Sequence, residues 1–180
     1  MQTVTIIGAG PAGLLLAHYL LARRQYRVEL YDRRPDPRLT EQFNRRTFPL
    51  ALQLRGLKAI RGIAGLEAAV MAKGLLAGGT LMYGKKAKPR QVPRKVPLLM
   101  IDRHQLILVL LEQLLKRYGS EQVTTHFDCA CTGVDLKGHT VTLQPTGGET
   151  RVSHFDRLVG ADGARSQVRD ALRRSDRLAL

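Results

Sequence analysis

Gly8, Gly10 and Gly13 stand in the order Gly-x-Gly-x-x-Gly, and Asp32 follows nineteen positions after the last of them. Glycine at the first place permits a tight turn, and at the second it lets the backbone approach a pyrophosphate. At the third it lets a helix lie close on a strand, and an acid about 20 residues later accepts hydrogen bonds from a ribose. These residue types at this spacing point to a bound dinucleotide. A second string, Gly160-Ala161-Asp162-Gly163-Ala164-Arg165-Ser166, lies near the other end of the chain. Its Asp-Gly pair offers an acceptor beside a second sharp turn.

The elements around both strings suit that purpose. Thr3-Val4-Thr5-Ile6-Ile7 is a short apolar, β-branched run that reads as a buried parallel strand. Pro11 to Arg24 reads as a helix with Leu14, Leu15, Leu16, Ala17, Leu20 and Leu21 as its apolar body. The start of that helix, at Pro11-Ala12-Gly13, would aim free N–H groups and a positive dipole end at phosphate. A second strand, Arg27 to Tyr31, delivers Asp32. Asp32 disfavours a 2′-phosphate and so favours FAD or NAD over NADP. Arg33 and Arg34, directly after it, either accommodate such a phosphate or face solvent. Asp156 to Ala161 reads as a third core strand that brings Asp162 and Gly163 to the carboxyl edge of the sheet, with Ser166 capping a following helix.

Gly160-Ala161-Asp162-Gly163-Ala164-Arg165-Ser166-Gln167-Val168-Arg169 resembles the DG motif of the FAD-dependent aromatic hydroxylases, the group A flavoprotein monooxygenases. Further landmarks run through the chain in matching order. Tyr31-Asp32-Arg33-Arg34 resembles the end of the second strand in kynurenine 3-monooxygenase-like members. Arg46, followed by Leu50 to Gly56, resembles another of their segments, and Asp102-Arg103-His104-Gln105-Leu106 resembles a third. The resemblance implies FAD contacts at Gly8, Gly10, Gly13 and Asp32, with Ala12 and Arg33 in the same two turns. It implies further contacts at Arg34, Ala51, Arg103, Asp162 and Gly163, and also at Arg46 and at the backbone of Cys131. It implies NAD(P)H as co-substrate, O₂ as oxidant and an electron-rich small-molecule substrate, with no protein acid or base named.

The chain departs from those members where a substrate carboxylate would be held. An arginine and a tyrosine of theirs are replaced by Gly78 or Thr80 and by Pro97. A different substrate is therefore expected. A third flavin motif and the later strands of the family have no counterpart, so the chain reads as the N-terminal part of a longer fold with its C-terminal half missing. The expected fold is α/β: one Rossmann-like FAD-binding domain over residues 1–180, with a parallel sheet, crossover helices and an inserted β-meander, incomplete at the C-terminus. Two other readings share these motifs: a related flavin-dependent reductase, and a non-catalytic nucleotide-binding fragment.

Composition sets the remaining bounds. The chain has 180 residues, 44% hydrophobic, with 29 Lys and Arg against 15 Asp and Glu. That suffices for a folded core. The first strand begins too early for a signal peptide, and no apolar run is long enough for a membrane span, so a cytoplasmic protein is expected. Charge is concentrated in Lys85 to Lys95 and from Arg165 to Arg177. With few aromatics and no nucleic-acid motif, these clusters suit anionic cofactors or an acidic partner rather than specific nucleic-acid binding. Cys129 and Cys131, one residue apart on a predicted strand, read as structural thiols, and no metal site is expected. His18 and His104 read as structural or exposed. Leu57 to Met71 reads as one helix weakened by Gly62 and Gly65. The Pro-broken basic segment Lys85 to Pro97 reads as a loop. Asp102 caps a helix closed by Gly119, Val123 to Phe127 is a strand, and Val134 to Ser153 forms the meander.

Overall fold

A computed structural model describes residues 1–39, 49–84 and 88–175. Arg46, Lys85, Lys86 and Arg177 lie outside the described residues. The chain divides into two compact units, one of residues 1–45 and 110–180 and the other of residues 46–109.

The first unit is built on four parallel strands. β1 (Gln2–Ile7) lies between β2 (Tyr26–Tyr31) and β10 (Arg157–Gly160), and β6 (Val123–His126) pairs with the far edge of β2. Ile7 pairs with both Gly160 and Tyr31, and Tyr31 pairs with His126. The carboxyl ends of all four strands therefore fall in one row. From β1 the sheet grows through β2 to β6 on one side, and β10, reached later in the chain, is added on the other, which makes the end of β1 the switch point where open α/β sheets bind ligands. Val4 and Ile6 on one face of β1 and Thr5 and Ile7 on the other are all buried, as a parallel strand covered on both faces requires.

Helix α1 (Pro11–Ala22) buries Leu14, Ala17, His18 and Leu21. Each fully buried leucine contributes roughly 1.5–3 kcal/mol. His18, read from sequence as structural or exposed, is structural. Its Nε2 donates to the Leu110 carbonyl at 3.0 Å, while Nδ1 has no partner among the described residues. Burial pushes the pKa of this imidazole below its usual value, with the nearby Arg117 acting in the same direction. The neutral form is thus the folded form. The stability that His18 contributes is present above about pH 6.5 and is lost as pH falls towards the depressed value. The slope approaches about 1.4 kcal/mol per pH unit. Thermal melts of wild type and His18→Gln across pH 7.5 to 5 (roughly the titration range of histidine) should show a shallower acid dependence for the variant. Parallel profiles would contradict this assignment.

The expected meander is present, its first strand starting earlier than Val134: β7 (Cys129–Asp135), β8 (Thr140–Pro145) and β9 (Arg151–His154) form an antiparallel sheet in that order. Val141, Leu143, Phe155 and Cys129 form a core with Ile7, Tyr31 and Val168. A short 3-10 helix, Gly163–Arg165, leads from β10 to α5 (Gln167–Arg174). Among the described residues, no helix is long and apolar enough to cross a membrane.

The second unit holds β3 (Pro49–Leu52), α2 (Leu54–Arg61), α3 (Leu66–Met71), β4 (Leu75–Met82) and β5 (Arg90–Asp102), with an antiparallel sheet in the order β3-β5-β4. Two sequence expectations are corrected here. The stretch Leu57 to Met71 is two helices, because Gly65 takes a left-handed φ of 74° that a continuous helix cannot contain. The basic segment is not a loop beyond Arg90 but a strand. Its register shift opposite Gly78 leaves Arg94 to Pro97 as a bulge, where proline costs no ladder hydrogen bond. Helix α4 (Arg103–Gln122) follows β5, and Asp102 caps it by accepting from the N–H groups of His104 at 2.8 Å and Gln105 at 3.1 Å. Gly119, at φ 66°, interrupts it where the sequence predicts a stop.

Candidate functional site

The two glycine strings, more than 140 residues apart in sequence, meet at the row of strand ends. Gly8 donates its N–H to the Tyr31 carbonyl at 2.7 Å, and Ala161 donates to the Ile7 carbonyl at 2.7 Å. The end of β1 is thereby stitched to the strands on both sides. Gly8 sits at φ +110°, and a side-chain carbon placed there would overlap the Ala161 carbonyl and lie 2.8 Å from the Asp162 nitrogen. A carbon on Gly13 would overlap the Gly8 carbonyl and lie 3.3 Å from Cβ of Ala161. Both positions require glycine, for contact with backbone rather than with a movable side chain.

Helix α1 starts in the open form that an anion needs. Gly10 is its cap, extended at φ −75°, with no side-chain hydrogen bond to the helix end and no acidic residue in the first turn. Pro11 at the first position has no N–H to satisfy. The N–H groups of Ala12 and Gly13 precede the first intrahelical bond, Leu14 N–H to the Gly10 carbonyl at 3.0 Å. Partial positive charge is thus presented at a turn that can approach a pyrophosphate closely.

Asp32 is tied to this turn. Its Oδ2 accepts from Ala9 N–H at 2.8 Å and its Oδ1 from Arg34 N–H at 2.9 Å. A carboxylate offers about four lone-pair sites, so two remain for ribose hydroxyls. The backbone beyond Asp32 is fixed as well. The Asp32 carbonyl accepts from Cys129 N–H, and the Arg34 carbonyl from Asp128 N–H, both at 2.9 Å. The side chains of Arg33 and Arg34 are exposed. Cys131 is half-buried on β7, its thiol directed to the Gly133 carbonyl at 3.4 Å. Burial pushes that thiol up to about 11, so it stays protonated and unreactive at neutral pH.

Asp162 completes the arrangement. Its Oδ2 accepts from Gln167 N–H at 2.7 Å, while its Oδ1 is buried and has no partner among the described residues. A buried carboxylate oxygen left unpaired is costly, and it marks where a ligand hydroxyl would be accepted. Gly163 turns at φ +78° in open space. Ser166 caps α5 as predicted, its Oγ accepting from Arg169 N–H at 3.0 Å. Sequence reasoning missed the role of Arg169, whose guanidinium donates to the carbonyls of Ala164 at 2.6 Å and Gly163 at 3.4 Å. It also missed why Gly160 is small: a side-chain carbon there would lie 2.7 Å from Cβ of Val168 on α5. The position of Arg169 at the end of the second string was the available signal for it.

The first unit therefore brings together Gly8, Gly10, Ala12, Gly13, Asp32 and its two arginines, Cys131, Asp162 and Gly163. Ala51 and Arg103 belong to the second unit. Ala51 is an exposed residue of β3 paired with Met100, and Arg103 is the first residue of α4.

This geometry fits FAD. Two turns that exclude side chains, an uncapped helix start and a buried acceptor left unpaired among the described residues suit a pyrophosphate and its polyol. Asp32→Ala should lower FAD affinity about tenfold or more, through the lost ribose acceptor and the freed Ala9 and Arg34 N–H groups. Fluorescence titration with FAD measures it, and an unchanged affinity would remove Asp32 from the site.

Comparison with known proteins agrees. A family model described as FAD binding domain matches residues 1–177. The chain is 36% identical over 179 residues to a kynurenine 3-monooxygenase of Stenotrophomonas maltophilia, and 34% identical over 177 residues to one of Salinispora tropica. The first match covers 96% of this chain and the second 95%, but each covers 38% of the relative. Among solved structures, p-nitrophenol 4-monooxygenase from Pseudomonas putida shares the fold with a TM-score of 0.73 at 17% identity, over 96% of this chain and 44% of that one.

Proposed function

This chain belongs to the FAD binding domain family, and from that premise we propose that it is the cofactor-holding part of a flavin-dependent monooxygenase. FAD is the cofactor, and when bound it supplies the electron transfer and oxygen activation. The chain's own residues supply the rest. Gly8, Gly10 and Gly13 admit the pyrophosphate to the backbone, and the start of α1 compensates its charge. Asp32 would accept from the ribose, and Asp162 from a hydroxyl at its unpaired Oδ1. Arg169 positions rather than contacts, holding the Asp162–Arg165 turn by its carbonyls.

The observation that carries this reading is the contact of the two glycine strings through Gly8 and Ala161, beside a buried acceptor without a partner among the described residues. The likeness to kynurenine 3-monooxygenases supports an aromatic substrate and reduction by NAD(P)H. The chain spans 38% of the length of the curated relatives that it matches, so substrate selection is proposed for the whole protein. By the resemblance, Gly78 or Thr80 and Pro97 take the places of an arginine and a tyrosine that hold a substrate carboxylate, which supports a different substrate. Mixing the FAD-loaded chain with NADPH under anaerobic conditions tests the redox half. Bleaching of the flavin's visible band supports it. A band that persists with NADPH and NADH alike, while dithionite bleaches it, would limit the chain to cofactor binding.

A further inference from the structure

Asp32 is held by the end of β6 as well as by the Gly8 turn. Its backbone N–H donates to the His126 carbonyl, and its own carbonyl accepts from Cys129 N–H, both at 2.9 Å. His126 ends β6 and Cys129 begins β7, so both bonds run to the two sides of one turn. The residue before Asp32, Tyr31, accepts the Gly8 N–H on its carbonyl at 2.7 Å. Where the Asp32 carboxylate points therefore depends on how the end of β2 lies against the end of β6.

An aromatic pair sets that spacing. Tyr31 and His126 are partners in the β2–β6 register. Their rings stack with centroids 4.5 Å apart and planes 10° from parallel. Tyr31 is buried in one core with Val141 and Leu143 of the meander. Its hydroxyl donates to Oε2 of Glu29 at 3.1 Å, two residues back on the same face of β2. Burial, and then Glu29, push that hydroxyl up to about 12, so it stays a donor. The tyrosine ring is thus fixed at its edge and at its tip. Burial of His126, and then Arg151, push the imidazole below its usual pKa against the opposing pull of Glu29. At neutral pH it is a neutral aromatic ring, and two such rings attract in a defined geometry.

We propose that His126 is a positioning residue for the cofactor: stacked on Tyr31, it holds the end of β2 against β6 so that Asp32 presents its carboxylate to the ribose. This rests on the reading of Asp32 as the ribose acceptor for FAD. The stack acts through Asp32, and its effect is confined to a chain that has that carboxylate.

FAD affinity of the full chain is titrated at a temperature where circular dichroism shows every variant folded. His126→Ala should lower it about fivefold, the scale of one aromatic stack, and His126→Phe, which keeps a ring without the imidazole nitrogens, should restore it to within about twofold. With Asp32→Ala already present, His126→Ala should cost nothing further, because the group that it positions is gone. A merely structural role would lower the melting temperature of His126→Ala and leave the affinity of the folded chain unchanged, and that result overturns the proposal. A loss that adds in full to the loss from Asp32→Ala also overturns it. So does a phenylalanine variant that binds as poorly as alanine, since an imidazole nitrogen would then be at work. A wild-type chain that binds no FAD, or an Asp32→Ala variant that binds it as wild type, refutes the cofactor assignment itself and the role of the stack with it.

Discussion

Replacing Gly8 with alanine is expected to abolish FAD binding and to destabilise the first unit by about 3 kcal/mol or more. Two costs combine. The residue sits at φ +110°, where an L side chain is strained, and the added carbon would occupy the space of the Ala161 carbonyl. That carbonyl belongs to the backbone joining β10 to Asp162, so relief requires separating strands whose ends are stitched by the Ala161 to Ile7 hydrogen bond. Gly163→Ala is the control. Gly163 also has a positive φ, 78°, but open space beside it, so only the conformational cost of about 1–2 kcal/mol applies. Chemical denaturation and FAD titration of both variants should rank Gly8→Ala far below Gly163→Ala. Equal effects would mean that backbone strain alone matters, and that the two turns are not held in contact.

The second large effect is expected at Asp162. Its two oxygens have different duties: Oδ2 holds the Gln167 N–H at the start of α5, and the buried Oδ1 has no partner among the described residues. Asp162→Ala removes both, costing about 1 kcal/mol of helix capping and about a hundredfold in FAD affinity if a charge-assisted hydrogen bond is lost. Asp162→Asn separates the duties. Its single carbonyl oxygen can keep the Gln167 contact, which places an amide donor where Oδ1 was an acceptor. Asparagine should therefore melt close to wild type and yet bind FAD nearly as poorly as alanine. Wild-type affinity in the asparagine variant would show that no cofactor hydroxyl donates there.

Much of this site could be read from residue type and spacing. The glycines, Asp32 and the string from Gly160 each carry a local reason for their identity, and the structure places them at neighbouring strand ends. The caps at Asp102 and Ser166 were legible for the same reason, since an oxygen two or three residues ahead of a free N–H is a local matter. What escaped was set by partners distant in sequence or by backbone irregularity. Pro93 and Pro97 argue against a strand, yet β5 takes Pro97 into the bulge at Arg94 to Pro97 and carries Pro93 in register with Gly79. The apolar spacing from Leu57 to Met71 suits one helix, and only the left-handed turn at Gly65 divides it. Gly160 and Arg169 depend on how α5 lies over β10, a tertiary matter no motif announces. Ala51 and Arg103 fall in the second unit, while the other expected contacts among the described residues fall in the first.

The most direct test of the cofactor site is an FAD titration of the purified chain, followed by desalting and a visible spectrum, with Gly8→Ala alongside. The account predicts one flavin retained per folded chain and none by the variant. A wild-type chain that is folded by circular dichroism but colourless, or a variant that keeps its flavin, would contradict the claim that these two turns together hold FAD.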